Sequence, residues 1–70
     1  MKKNNKKLDL NLIRAKRLEK NISLVEMAER VGMTSNSQYY KYEAGIYKFN
    51  ANTVPKVAEA LGMKIEDLYN

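Results

Sequence analysis

Seventy residues without a cysteine or a histidine leave room for one small domain. They exclude disulfide frameworks, zinc fingers and the usual nucleophile–base pairs of covalent catalysis. The formal net charge of +5 is unevenly placed, with eight basic and two acidic side chains in residues 1–20 against five and six in residues 21–70, an asymmetry that points to a polyanionic partner (nucleic acid or an anionic membrane) or, more plainly, to a solubilising tail.

Residues 1–8 alternate lysine with asparagine and show no periodicity, so a flexible basic arm is expected there. Such an arm can lie along a DNA backbone or reach a minor groove. A first helix follows at about 10–20, with Asp9 or Asn11 as its N-cap. Its apolar residues Leu10, Leu12, Ile13, Ala15 and Leu18 make a ragged stripe. One turn beyond Ile13 the inner face meets Arg17, a charge tolerated there only if paired. Asn21 suits a left-handed helix end.

Ser23 and Glu26 form an S-x-x-E capping box for a second helix. Leu24, Met27, Ala28 and Val31 fall at i, i+3, i+4 and i+7 on one face. Ala28 is small enough for a close helix crossing, and Gly32 supplies the backbone freedom for the turn. Thr34 or Ser35 caps a third helix at about 36–44. Tyr39 and Tyr42, three apart, face inward. Asn36, Ser37, Tyr40 and Lys41 then face outward with Gln38 at the edge, and Gly45 ends the helix. Residues 46–51 form a loop from which Phe49 plugs the core. With Asn52 as N-cap, a fourth helix starts at about Thr53 and places Pro55 at its third position, where the missing N–H costs nothing. Val54, Val57, Ala58 and Leu61 form its buried face, which Gly62 ends. Ile65, Leu68 and Tyr69 make a last short apolar face at about 64–69.

The segments RAKRLEKNIS, SLVEMAERVGM, KYEAG and VPKVAEALGMKIEDL, in this order and spacing, resemble the Cro and phage-repressor type of helix-turn-helix domain, the XRE family. The likeness covers residues 11–69. It implies an all-α, compact five-helix bundle over residues 9–70 that follows the arm, with helices 2 and 3 as the helix-turn-helix and the third as recognition helix. It also implies that Ala28 and Gly32 set the turn, that Tyr39 and Tyr42 occupy two inward places usually held by aliphatic residues, and that Glu43 pairs with Arg17. Three departures stand out. One extra residue separates Gly32 from Glu43, and we place it within residues 33–35 so that the tyrosines keep register. Leu24 stands where the family often has a phosphate-binding Gln. Tyrosine at both inward places is larger and more polar than the usual residue, and each hydroxyl needs a partner or a surface outlet.

Asn36, Ser37, Gln38, Tyr40 and Lys41 have the chemistry of base reading. A carboxamide can bond an adenine edge bidentately, a lysine reaches guanine acceptors or phosphate, and a tyrosine ring can meet a thymine methyl. The alternative is an ordinary exposed helix face. Ser23 and Ser35, at the starts of the two helices, complete the DNA-binding set with Lys48. Tyr47 and Asn50 beside Lys48 are either phosphate contacts or solvated loop residues. Arg14 and Lys16 add long-range attraction at most.

The expected function is sequence-specific binding of double-stranded DNA by a repressor-like transcriptional regulator, with a homodimer formed through Ile65, Leu68 and Tyr69. The alternative is a protein-binding helix-turn-helix module, such as an antitoxin or an inhibitor of another regulator. Glu66 and Asp67 are adjacent and diverge on a helix, no glycine loop cradles a phosphate, and no metal-ligand cluster occurs. Neither enzyme nor cofactor is expected. No apolar run approaches membrane-spanning length and no signal-peptide pattern follows the first lysines, so a reducing, cytoplasmic setting is expected. The ragged first helix argues against binding a membrane surface.

Overall fold

Asp9 sets the start of the first helix. Its Oδ1 accepts the Leu12 N–H at 3.1 Å, so Asp9 rather than Asn11 is the N-cap of α1 (Leu10–Glu19). The computed structural model describes residues 7–70, and the arm expected over residues 1–8 lies, for residues 1–6, outside the described residues. Beyond α1, Asn21 takes φ 58°, the left-handed conformation that a short polar side chain tolerates.

The capping box forms as its spacing implies. Ser23 Oγ accepts the Glu26 N–H and Glu26 Oε1 accepts the Ser23 N–H, both at 3.0 Å, which opens α2 (Leu24–Arg30). Gly32 then turns the chain at φ 80°, a conformation costly to any residue with a Cβ. The Met33 N–H returns to the Ala28 carbonyl at 2.8 Å and closes the end of the helix. Ser35, not Thr34, caps α3 (Asn36–Glu43), its Oγ accepting the Gln38 N–H at 3.1 Å.

The fourth helix departs from expectation at its start. α4 (Val54–Leu61) has Thr53 as N-cap with no side-chain cap bond. The expected cap, Asn52, is displaced because Asn50 has already organised the turn. Asn50 Oδ1 accepts the Asn52 N–H, the Thr53 N–H and the Thr53 hydroxyl, each at 2.9 Å. Pro55 lies in the first turn, where no N–H is needed.

Among the described residues, four α-helices and one short 3-10 helix (Ile65–Leu68) stand in place of the expected five-helix bundle. The last element cannot continue as an α-helix because Tyr69 is extended and forms an isolated antiparallel bridge with Leu8. The Asp9 N–H donates to the Leu68 carbonyl at 2.7 Å and the Asn70 N–H to the Lys7 carbonyl at 3.0 Å. Lys7 and Leu8, expected in the arm, are thereby joined to the C-terminal residues.

The most extensive helix contact is between α2 and α3, and α4 packs against both α1 and α2. Ile13, Met27, Tyr39, Val57, Leu61 and Leu68 are the large side chains sealed at the centre. Apolar burial is worth about 1.5–3 kcal/mol per large side chain. These six therefore outweigh the surface Lys16–Glu19 pair at 3.3 Å, since such pairs contribute about 0–1 kcal/mol. Leu68 is 0 % exposed, which corrects its assignment to a dimer contact: the side chain closes its own core. Among the described residues no helix is long and apolar enough to cross a membrane.

Candidate nucleic-acid interface

The outer face of α3 is presented by an anchor on its inner face. Tyr39 is fully buried, Tyr42 is half-buried, and Glu43 is buried with Arg17. Arg17 Nε donates to Glu43 Oε2 at 2.9 Å and Nη2 to Oε1 at 3.0 Å, while Nη1 donates to the Ile22 carbonyl at 3.0 Å. The Tyr39 hydroxyl donates to Glu43 Oε2 at 2.7 Å, so the larger inward residue finds the partner its polarity requires. One guanidinium thus ties α1, the link to α2 and the last turn of α3. A bidentate pair of this kind fixes direction as well as distance. The bond to Glu43 raises the Arg17 pKa above its ordinary value. Burial, followed by the bond to Glu43, raises the Tyr39 phenol above its ordinary 10.0, so it remains a donor.

With that face fixed, Asn36, Ser37, Tyr40 and Lys41 lie exposed on the other, as the three- and four-residue spacing implies, and Gln38 is half-buried at the edge. Tyr40 is 52 % exposed. The register agrees with the extra residue lying in the turn, because α3 runs unbroken from Asn36 to Glu43. The candidate residues differ in what their atoms already do. Gln38 Oε1 accepts the Thr34 N–H at 3.3 Å and the Thr34 hydroxyl at 3.2 Å, so the NH2 is the group of this side chain left to donate. Ser23 and Ser35 each accept a helix N–H through the hydroxyl oxygen, and their hydroxyl protons stay available to an acceptor.

The loop after α3 is braced by aromatic stacking. Phe49 sits 5.3 Å from the Tyr42 ring and 6.2 Å from the Tyr39 ring, centroid to centroid. Tyr47 meets Tyr42 edge-on at 5.4 Å, and the Lys41 ammonium lies 5.6 Å from the Tyr47 ring centre. This contact between helix and loop was not anticipated from sequence, although an aromatic six residues beyond a lysine across a glycine stop was the available hint. Lys48 is exposed. Asn50, considered a phosphate contact, has its side-chain oxygen engaged in the turn before α4.

Leu24, at the head of α2, stands both on the apolar face of that helix and where the family often has a phosphate-binding Gln. It is half-buried, and with Asn36, Ser37, Tyr40 and Lys41 it lines a shallow depression of about 300 Å³ on the outer face. Among the described residues no group of three or more acidic, histidine or cysteine side chains is placed to hold a metal ion.

A helix-turn-helix family model matches residues 13–68 of the chain. No curated protein matches it.

Proposed function

The chain belongs to the Cro/C1-type helix-turn-helix family, the XRE family, and from that premise we propose that it is a repressor-like transcriptional regulator that reads double-stranded DNA through the major groove with α3. The observation that carries this reading is the contrast between the two faces of α3. The inner face is locked by Glu43 and Tyr39, and the outer face offers Asn36, Ser37, Tyr40 and Lys41 to solvent. Those four side chains supply amide, hydroxyl, aromatic and ammonium groups to base edges. Ser23, Ser35 and Lys48 flank them and suit phosphates, which set orientation rather than sequence. Gln38 contributes its NH2.

One helix reads only a few base pairs, so useful affinity calls for two half-sites about one DNA turn apart and hence two copies of the chain. Ile65, 44 % exposed, and the half-buried Tyr69 are the side chains of the last segment suited to that contact. With Leu68 sealed inside, the dimer contact is smaller than the sequence pattern suggested.

The test is selection of bound fragments from random duplex DNA, followed by a salt titration on the enriched site. A regulator of this kind enriches a two-part site and loses affinity steeply with salt, with a log–log slope of about −0.9 per neutralised phosphate. Ile46, 63 % exposed beside Tyr47, favours the second reading, a protein-binding module of the antitoxin or inhibitor kind. Failure to enrich any sequence, with weak salt dependence toward all duplexes, would decide for it.

A further inference from the structure

The depression beside Leu24 has a chemistry distinct from the rest of the outer face. It is lined by two residues with apolar side-chain surface, Leu24 and Tyr40, and by three polar ones, Asn36, Ser37 and Lys41. A volume of about 300 Å³ is at the lower limit of sites that enclose a small molecule, about 300–1,000 Å³. The recess is shallow and open, so it does not enclose a whole ligand; its apolar lining, from Leu24 and Tyr40, suits an apolar group that protrudes from a larger polar partner. Within a DNA major groove only one base edge carries such a group, the C5-methyl of thymine.

We propose that Leu24 and Tyr40 form the receptor for a thymine methyl group, which makes Leu24 a specificity-determining residue. The inference rests on α3 reading the major groove. Asn36 and Tyr40 are four residues apart, and neighbours at that spacing share a helix face. An A·T pair shows adenine N6 and N7 together with thymine O4 and the methyl in one groove. The Asn36 carboxamide takes the adenine edge of that pair or its neighbour, and the methyl enters the recess. Lys41, which also lines the recess, approaches thymine O4 or the adjoining phosphate. An isobutyl side chain at the head of α2 cannot donate to a phosphate, so Leu24 makes the first turn of that helix a reader of base identity.

The experiment starts from the site that the wild-type chain enriches out of random duplex DNA. Each thymine of that site is replaced in turn by deoxyuridine, which deletes only the methyl, and binding is measured with wild type, Leu24→Ala and Tyr40→Ala. The expected result is one thymine per half-site whose demethylation weakens wild-type binding about fourfold, the ratio that corresponds to burial of one methyl group. In both variants the thymine-to-deoxyuridine ratio at that position falls toward one. Tyr40 is exposed, so Tyr40→Ala stays readable if Leu24→Ala folds poorly. Insensitivity to every thymine overturns the proposal while leaving base reading intact, as does a methyl effect that persists in the variants. Failure of the wild type to enrich any site overturns the DNA reading itself.

Discussion

The Arg17 guanidinium holds both carboxylate oxygens of Glu43, through Nε at 2.9 Å and Nη2 at 3.0 Å. Both side chains are buried, so neither charge can turn to water if the other is lost. Glu43→Ala is expected to destabilise the chain by about 3 kcal/mol because it strands the guanidinium. Urea unfolding at neutral pH checks this. A loss within about 0.5 kcal/mol, as at exposed sites, contradicts the pairing as a source of stability.

Tyr39 makes stability sensitive to alkaline pH. Its folded pKa is raised above the ordinary 10.0, chiefly by burial and then by the bond to Glu43, so the native state keeps the phenol proton that the unfolded chain releases. The contribution is complete below pH 10.0 and is lost as pH rises through the interval above it, with a slope for one group of at most about 1.4 kcal/mol per pH unit. Tyr39→Phe should cost about 1 kcal/mol at neutral pH. The difference between wild type and variant should then shrink as the solution becomes alkaline, and a constant difference across that range would count against the phenol as its source.

Ser35 separates helix capping from DNA contact. Aspartate is as good an N-cap as serine and is favoured by the helix dipole. Ser35→Asp should therefore keep thermal stability while placing a negative charge beside phosphates, and DNA affinity should fall about tenfold or more. Unchanged binding in an electrophoretic titration would remove Ser35 from the interface.

Leu68 and Ile65 distinguish core from contact surface. Leu68→Ala opens a cavity in the sealed centre and should cost about 2–5 kcal/mol in stability. Ile65→Asp should leave the melting temperature nearly unchanged and shift equilibrium sedimentation on a two-part site toward one copy per half-site. A dimer that persists in Ile65→Asp would place the contact elsewhere.

Lys48 gives a countable electrostatic effect. Lys48→Ala should weaken binding to all duplexes alike and reduce the magnitude of the log–log salt slope by about 0.9 for each copy bound. Loss of preference among sequences, with the slope unchanged, would instead make Lys48 a base reader.

The parts of the fold readable in the sequence are those whose signals are local. Ser23 and Glu26 sit three residues apart and form the box that this spacing implies. Tyr39 and Tyr42 fix the inward side of α3 by the same arithmetic, which left Asn36, Ser37, Tyr40 and Lys41 outside. The charged break at Arg17 announced a partner, and the family resemblance supplied Glu43.

Signals that depend on distant or competing groups were not readable. An apolar face at residues 65–69 does not reveal whether it covers its own core or a second chain, and Leu68 belongs to the core. The α-helical pattern there gave way because Leu8, some sixty residues upstream, pairs with Tyr69. Asn52 looked like a cap until Asn50, two residues earlier, took the N–H groups of the turn. On the outer face, the Thr34 N–H and hydroxyl turn back to Gln38 Oε1, a choice of side-chain rotamer that residue spacing does not encode. The recess beside Leu24 arises where α2 meets α3, which periodicity along one helix does not encode.

The bridge between Leu8 and Tyr69 makes fraying at one end contagious. Peeling Asn70 away from Lys7 leaves the Leu68 carbonyl holding the Asp9 N–H alone, and Asp9 is the residue whose side chain starts α1. Unzipping at the tail therefore propagates to the head of the first helix. In hydrogen exchange the amides of Asp9, Leu12 and Asn70 should open as one unit, at a rate set by the weaker of the two margins.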